Sequence, residues 1–178
     1  MPLFKRTKGA TEGGDIILNK LKEVSFFSMF ENDTEVLGKI ASICTRRQYR
    51  KGKMIIREGD FGDELFIILN GEIDIIKNTL QNERYTVTTL SADMGSINVG
   101  EIALIDNDRR SASVVAQTDC ECLVINRDDF IKFGDENPTA GLAITRAIAS
   151  QLCAYLRKSN SDIITLFSAL VEEISATQ

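Results

Sequence analysis

The chain reads as an α+β domain, mainly β: a β-barrel or jelly roll flanked by N-terminal helices and a long C-terminal helical segment. Three observations predict this. Between Arg47 and Asn126, short β-prone runs alternate with glycine-marked turns, the pattern of an all-β sandwich or barrel. Ahead of it, apolar residues recur at helical spacing over residues 15–44. Behind it, Thr139 to about Ile174 carries apolar residues three and four apart, without proline and with Gly141 as its one glycine, a helical period.

Residues 1–14 are polar and Gly-rich and read as a flexible tail. Ile16, Ile17, Leu21 and Val24 predict a first helix, and Val36, Leu37, Ile40 and Ile43 a second. Asp33 or Thr34 suits the N-cap of the second helix, and Glu35 adds negative charge to its first turn. From Arg47 the period changes: Tyr49, Met54, Ile55, Ile56 and the run Leu65–Leu69 are strand material. Asn70-Gly71, set between Phe66–Leu69 and Glu72–Ile76, predicts a two-residue hairpin. Further strands are expected at 84–90, 112–116 and 120–126. At the C-terminal end Ile148, Leu152, Tyr155, Ile163, Leu166, Leu170 and Ile174 form a stripe, with Ser159 in its gap. Two readings are open. The stripe is one long helix with a coiled-coil seam, or the polar run Arg157–Asp162 breaks it and Ser161 caps a second helix. The expected organisation is a tail (1–14), a β domain with its N-terminal helices (15–136) and C-terminal lid or dimerisation helices (137–178).

A chain of 178 residues holds one ordinary domain with extensions. Its 43% apolar and 26% charged residues are those of a globular protein, and a net charge of −5 argues against general nucleic-acid binding. Apolar runs such as Leu65–Leu69 are too short to span a bilayer. The basic stretch Met1–Gly9 lacks the apolar core of a secretory signal, so a cytoplasmic protein is expected. Four cysteines stand at 44, 120, 122 and 153; alternation puts Cys120 and Cys122 on one strand face. With no histidine and no Cys-x-x-Cys, a metal site is disfavoured and the cysteines read as core or surface thiols. The missing histidine also removes the usual general base. No Gly-x-Ser-x-Gly, His-Glu-x-x-His or Walker-type loop is present, so no enzyme is expected.

The most informative stretch is Gly100-Glu101-Ile102-Ala103-Leu104-Ile105-Asp106-Asn107-Asp108-Arg109-Arg110-Ser111-Ala112-Ser113-Val114. A Gly-Glu pair precedes a short apolar helical turn, and nine residues after the Glu an Arg leads into small residues and a strand. A helix N-terminus presents free N–H groups that suit a phosphate. Arg110 offers the same phosphate a planar cationic fork. An ionised Glu101 only accepts hydrogen bonds, which suits a sugar hydroxyl. Phosphate and hydroxyl together suggest a small nucleotide. A Glu and an Arg flanking a loop also make structural ion pairs; the order Gly-Glu-apolar-Ala-Leu and then Arg-Ser-Ala-Ser is what separates the two readings.

This run resembles the phosphate-binding cassette of cyclic-nucleotide-binding domains, as found in protein kinase A regulatory subunits and the catabolite activator protein. The resemblance extends to Lys51-Gly52-Lys53-Met54-Ile55, to Glu58-Gly59-Asp60 with Glu64–Ile68 and Gly71, and to the apolar helix after Pro138, in all about residues 21–158. It implies an eight-stranded barrel or jelly roll (a double-stranded β-helix). It implies that Glu101 takes the ribose 2′-hydroxyl and Arg110 the cyclic phosphate. The implied ligand-binding set is Gly100, Glu101, Ile102, Ala103, Arg110, Ser111 and Ala112, with Tyr155 on the C-terminal lid against the base. The ligand would be cAMP. Ser111 suits cGMP in kinase-type members and cAMP in catabolite-activator-type members, so it leaves cGMP open. Three features depart from the family: Val99 stands where it has Phe, Ala92–Asn98 is longer, and Arg109 replaces Pro.

By the same resemblance the C-terminal helices lid the base and carry occupancy to an output; the apolar stripe continuing to Ile174 predicts a homodimer, with a further protein partner downstream. The helix-turn-helix of DNA-binding relatives is not found after the C-terminal helix, so the expectation is a free-standing sensor or an isolated regulatory domain, without DNA, membrane or metal. The rival reading is a dimeric interaction module whose pocket takes another ligand or none.

Overall fold

The computed structural model describes residues 12–79, 81, 83–106 and 108–176. Helix α1 (Glu12–Glu23) begins three residues inside the stretch read as a tail, and the remainder of that stretch lies outside the described residues. A 3-10 turn (Ser28–Phe30) leads to α2 (Thr34–Ile43). Asp33 caps α2, its side chain accepting from the Val36 N–H at 3.0 Å. Thus the region 15–44 is two helices, and its last residue already belongs to a strand.

Eight strands follow among the described residues: β1 (Cys44–Tyr49), β2 (Met54–Ile56), β3 (Glu64–Asn70), β4 (Glu72–Asn78), β5 (Arg84–Ser91), β6 (Ile97–Val99), β7 (Ser113–Ala116) and β8 (Cys120–Asn126). They form two four-stranded antiparallel sheets, ordered β1-β8-β3-β6 and β2-β7-β4-β5. The jelly-roll form of the expectation holds: two sheets face each other and do not close into a barrel.

The expected hairpin at Asn70-Gly71 is not one. Strand β3 pairs with β6 and β8, whereas β4 pairs with β5 and β7. Gly71 is the corner where the chain leaves one sheet for the other. Its φ is +101°, and a Cβ there would stand 2.7 Å from the Asp119 carbonyl oxygen and from Cys120 Sγ. Turn chemistry proposed pairing, but the burial of β3 overrode it. Leu65 and Ile67 sit in a core with Leu21, Phe27, Leu37 and Ile144, while Phe66 and Ile68 sit between the sheets with Ile73, Val114 and Val124. A strand buried on both faces needs a neighbour on each edge in the middle of a sheet, and β6 and β8 supply them. Cys120 and Cys122 both join the inter-sheet core, and burial pushes the thiols of Cys44 and Cys122 up to about 12.

Helix α3 (Arg127–Glu136) is capped by Asn126, which accepts from the Asp128 N–H at 2.9 Å. Pro138 then opens α4 (Pro138–Ala176), a position where proline's missing N–H costs nothing. The helix is continuous for 39 residues. The run Arg157–Asp162 does not break it: serine and asparagine are weak helix formers, not breakers. Inner residues Ala140, Ile144 and Ile148 are buried, Leu152 packs against the same core, and every described residue from Cys153 onward is exposed. No helix is long and apolar enough to cross a membrane among the described residues.

Ile67 is fully buried beneath the helices. Ile67→Ala should cost about 2–5 kcal/mol of unfolding free energy, read from urea denaturation. Leu170→Ala, on the exposed part of α4, should leave the domain's denaturation within about 0.5 kcal/mol of the parent.

Candidate functional site

A cavity of about 310 Å³ lies between the second sheet and the segment 98–112, with α4 at its rim. Its apolar floor comes from Ile56, Ile75, Leu90 and Val114, one residue from each strand of that sheet. The wall is the segment Asn98–Ala103 and the segment Asp108–Ala112, joined by Asp106. All eight residues singled out from the sequence line it: Gly100, Glu101, Ile102, Ala103, Arg110, Ser111, Ala112 and, from α4, Tyr155.

Strand β6 delivers this wall. It runs beside β3, with Val99 opposite Phe66. Gly100 then turns the chain at φ +86° into a 3-10 turn, Glu101–Leu104, whose first backbone bond runs from Ala103 N–H to the Gly100 carbonyl at 3.1 Å. Ala103 and Leu104 anchor the turn in the core, whereas Ile102 stays exposed at the cavity. On the other side, the loop after β2 and the segment before β7 are bonded together. Gly59 N–H donates to the Arg110 carbonyl, and Arg110 N–H to the Asp60 carbonyl, both at 2.9 Å.

Between these two segments sits the Arg110 guanidinium. Nη2 donates to the Glu64 carbonyl at 2.7 Å and Nη1 to the Gly100 carbonyl at 3.4 Å. The seat exists because two neighbours lack side chains. A Cβ on Gly62 would overlap Arg110 Nε, and one on Gly100 would stand 2.5 Å from Nη1. The Glu64 carboxylate is meanwhile taken by Arg47, both of whose terminal nitrogens donate to it. Its charge acts on Arg110 from a distance, without an ion pair between the two.

Glu101 is 9% exposed. Burial lifts its carboxyl above the ordinary carboxylate value, opposed by its own backbone N–H, by the charge of Arg110 and by the Asn98 side chain. Burial lowers Arg110, opposed by Glu64, Asp63 and Glu101. Yet no ion pair joins Glu101 to Arg110 among the described residues. The simple structural ion pair is absent. An acceptor and a cation stand separately on one wall of an apolar cavity, each destabilised by burial. Such an arrangement can hold an anion with a hydroxyl beside it.

Three comparisons bear on what this cavity belongs to. A family model described as "Cyclic nucleotide-binding domain" matches residues 46–137. The chain belongs to the cyclic nucleotide-binding domain family. Over 122 residues it is 30% identical to the "Cyclic AMP receptor protein" of Thermus thermophilus, spanning 68% of this chain and 53% of that protein. It is 35% identical over 114 residues to human "cGMP-dependent protein kinase 2", spanning 63% of this chain and 14% of the kinase. A solved cyclic nucleotide-binding domain from Methylobacillus flagellatus superposes with a TM-score of 0.70 at 27% identity, covering 86% of this chain and 83% of that one.

The departures from the cyclic nucleotide-binding pattern have a physical account. Arg109 donates from Nη1 to the Gly59 carbonyl at 2.6 Å and lies 4.8 Å over the Phe61 ring. It thereby fastens the loop that seats Arg110, a job a proline could do only by rigidity. The long segment Ala92–Asn98 forms a 3-10 turn (Ala92–Met94) and the start of β6. Val99 takes a place in the inter-sheet core. Sequence reasoning missed the floor residues, whose alternation in their strands marks them only as inward-facing. It also missed Asn98, Asp106 and Asp108, which carry no signal of their own.

Because the folded value of Glu101 is raised, its protonated form favours the folded state. That contribution is fully present below the ordinary value of 4.5 and is lost as pH rises through the raised folded value. Glu101→Gln should remove it. The stability of the variant relative to the parent should therefore rise as pH climbs from 4.5, measured by urea denaturation at stepped pH, and should level off once Glu101 is fully ionised.

Proposed function

We propose that this protein is a cyclic-nucleotide sensor without catalytic activity, binding a cyclic purine nucleotide, cAMP first and cGMP second, in the 310 Å³ cavity. The observation that carries the reading is the pairing of a seated Arg110 with a buried, separately placed Glu101 above an apolar floor. In this reading Arg110 donates charge-assisted hydrogen bonds to the cyclic phosphate, using N–H groups that its two carbonyl partners leave over. Gly100, Ile102, Ala103, Ser111 and Ala112 line the phosphate and sugar. Glu101, in its ionised form, accepts from the ribose 2′-hydroxyl. The purine lies over Ile75, Leu90 and Val114, and the Tyr155 ring covers it from α4. Carrying the reading from relatives is supported by their names, a cyclic AMP receptor and a cGMP-dependent kinase, which between them leave the purine open.

The output is a shift of α4. Ligand stabilises one position of the helix, and the population moves toward it. The domain organisation follows the division into a β domain, residues 15–136, and a C-terminal lid and dimerisation segment, 137–178, acting in the cytoplasm on a protein partner. Exposed Ile163, Leu166, Phe167, Leu170 and Ile174 favour a homodimer joined along the outer helix. They would serve equally in a dimeric interaction module without a nucleotide.

Calorimetric titration with cAMP, cGMP and cyclic dinucleotides tests the ligand. Arg110→Ala should weaken binding of the preferred nucleotide by roughly 2–4 kcal/mol, about 30- to 1000-fold. Arg110→Lys should also weaken it, since the planar fork is lost. Parent-like affinity in Arg110→Ala would remove the phosphate assignment.

For the output, Leu166→Glu combined with Leu170→Glu places charges in an apolar contact. Light scattering should register a dimer for the parent and a monomer for the double variant, with the β domain still folded by circular dichroism. A monomeric parent at micromolar concentration would end the dimer proposal.

A further inference from the structure

Helix α4 leaves the body of the protein at a defined point, and that point carries a short chain of hydrogen bonds. Ile144 and Ile148 are fully buried and Leu152 still packs against the helical core; Cys153 and all described residues beyond it are exposed. At the boundary, Ser25 Oγ donates to Gln151 Oε1 at 3.0 Å, and Gln151 Nε2 donates to the Tyr155 hydroxyl at 2.6 Å. Ser25 lies between α1 and the 3-10 turn that follows it. Tyr155 lines the cavity and is half exposed. One amide thus touches the N-terminal helical layer with one end and a cavity residue with the other.

We infer that Gln151 is a positioning residue. It fixes the Tyr155 ring at the cavity rim and latches the departure angle of the outer helix to the N-terminal layer through Ser25. The geometry favours this over a chance surface contact. Gln151 and Tyr155 are four residues apart and share a helix face. The amide uses its acceptor toward one partner and its donor toward the other, so neither bond competes with the other. A shift of the ring driven by a molecule in the cavity acts on the bond to Gln151 and, through it, on the contact with Ser25. The latch itself depends only on these contacts; its effect on affinity rests on the nucleotide reading above.

The test uses the full chain with Gln151→Leu, Gln151→Glu, Tyr155→Phe and the Gln151→Leu/Tyr155→Phe double variant. Glutamate is the conservative case, since both hydroxyls can donate to its carboxylate. Amide exchange is followed without ligand in peptides covering 24–28 and 150–156, and cAMP is then titrated by calorimetry. Gln151→Leu should speed exchange in both peptides, and Gln151→Glu should restore parent rates. Affinity for cAMP should fall about 3- to 10-fold in Gln151→Leu, the scale of one neutral hydrogen bond. The loss should be smaller when Tyr155→Phe is already present. Unchanged exchange in Gln151→Leu, or faster exchange in the α4 peptide alone, overturns the latch. Additive losses of affinity overturn the link to Tyr155. A parent that binds neither cAMP nor cGMP overturns the nucleotide reading, and the exchange comparison then decides the latch by itself.

Discussion

Strand β3 has no face turned to water, and the cavity is built from that constraint. Leu65 and Ile67 hold the helices on one side, while Phe66 and Ile68 hold the second sheet on the other. Burial of four large side chains in a row, each worth roughly 1.5–3 kcal/mol, fixes the strand's position and register. Its first residue, Glu64, is then a rigid point from which two arginines are placed: its carboxylate binds Arg47 and its carbonyl binds Arg110. Its edge partner β6 ends opposite Phe66 and feeds directly into Gly100 and the 3-10 turn. Both halves of the candidate site, the cation and the turn that bears Glu101, are therefore referenced to one strand.

The electrostatics of the site follow from what this scaffold withholds. A half-buried guanidinium would ordinarily be met by a carboxylate. Here Glu64 is already held by Arg47, and Glu101 stands apart. Arg110 donates to carbonyl oxygens instead, which orient the fork, while the charges of Glu64, Asp63 and Glu101 act on it without a direct ion pair. Glu101 has the mirror problem, buried and pushed toward its neutral form. Two groups of opposite sign, both penalised by burial and not directly paired, are what a ligand bearing both an anion and a hydroxyl donor would meet in the proposed reading. Preorganised donors of this kind need no reorganisation when the ligand arrives.

The cavity-lining stretch was legible because it is local. Its glycine, its carboxylate, its arginine and its small residues lie within one stretch, and the chemistry of each is independent of the rest of the chain. The helical stripe ending at Ile174 and the Asp33 cap were legible for the same reason. The cavity floor was not. Ile56, Ile75, Leu90 and Val114 come together through pairings of β2, β4, β5 and β7, and nothing in any one strand states its neighbours. The corner at Gly71 was misread because Asn-Gly is a hairpin signal only when the strands it joins can pair. The uninterrupted run of apolar residues in β3 already said otherwise, since one solvated face would have alternated. The polar run in α4 raised the prospect of a break, but serine, asparagine and aspartate weaken a helix by tenths of a kcal/mol each. The stripe continuing beyond it was the stronger statement.

Helix α4 joins two regimes that the sequence alone runs together. Its inner turns share the core of the helical layer, and its outer 153–176 stretch has none of that packing. At 1.5 Å per residue the outer part is about 35 Å long. A rotation of only about 5° where it leaves the body moves its far end by about 3 Å, more than enough to break apolar contacts that act within about 4 Å. The cavity touches the helix at Tyr155, close to that pivot and far from the tip. In the proposed relay a small change at the rim would displace the exposed stripe, with Leu166 at 71% and Phe167 at 66% accessibility, by about that distance. The outer half lacks the tertiary packing from which most helical stability in proteins comes, so a surface covering it would add to its order. In the proposed dimer its position would be set jointly by the pivot and by the covering surface, the condition under which occupancy of a small cavity could be read at a distance.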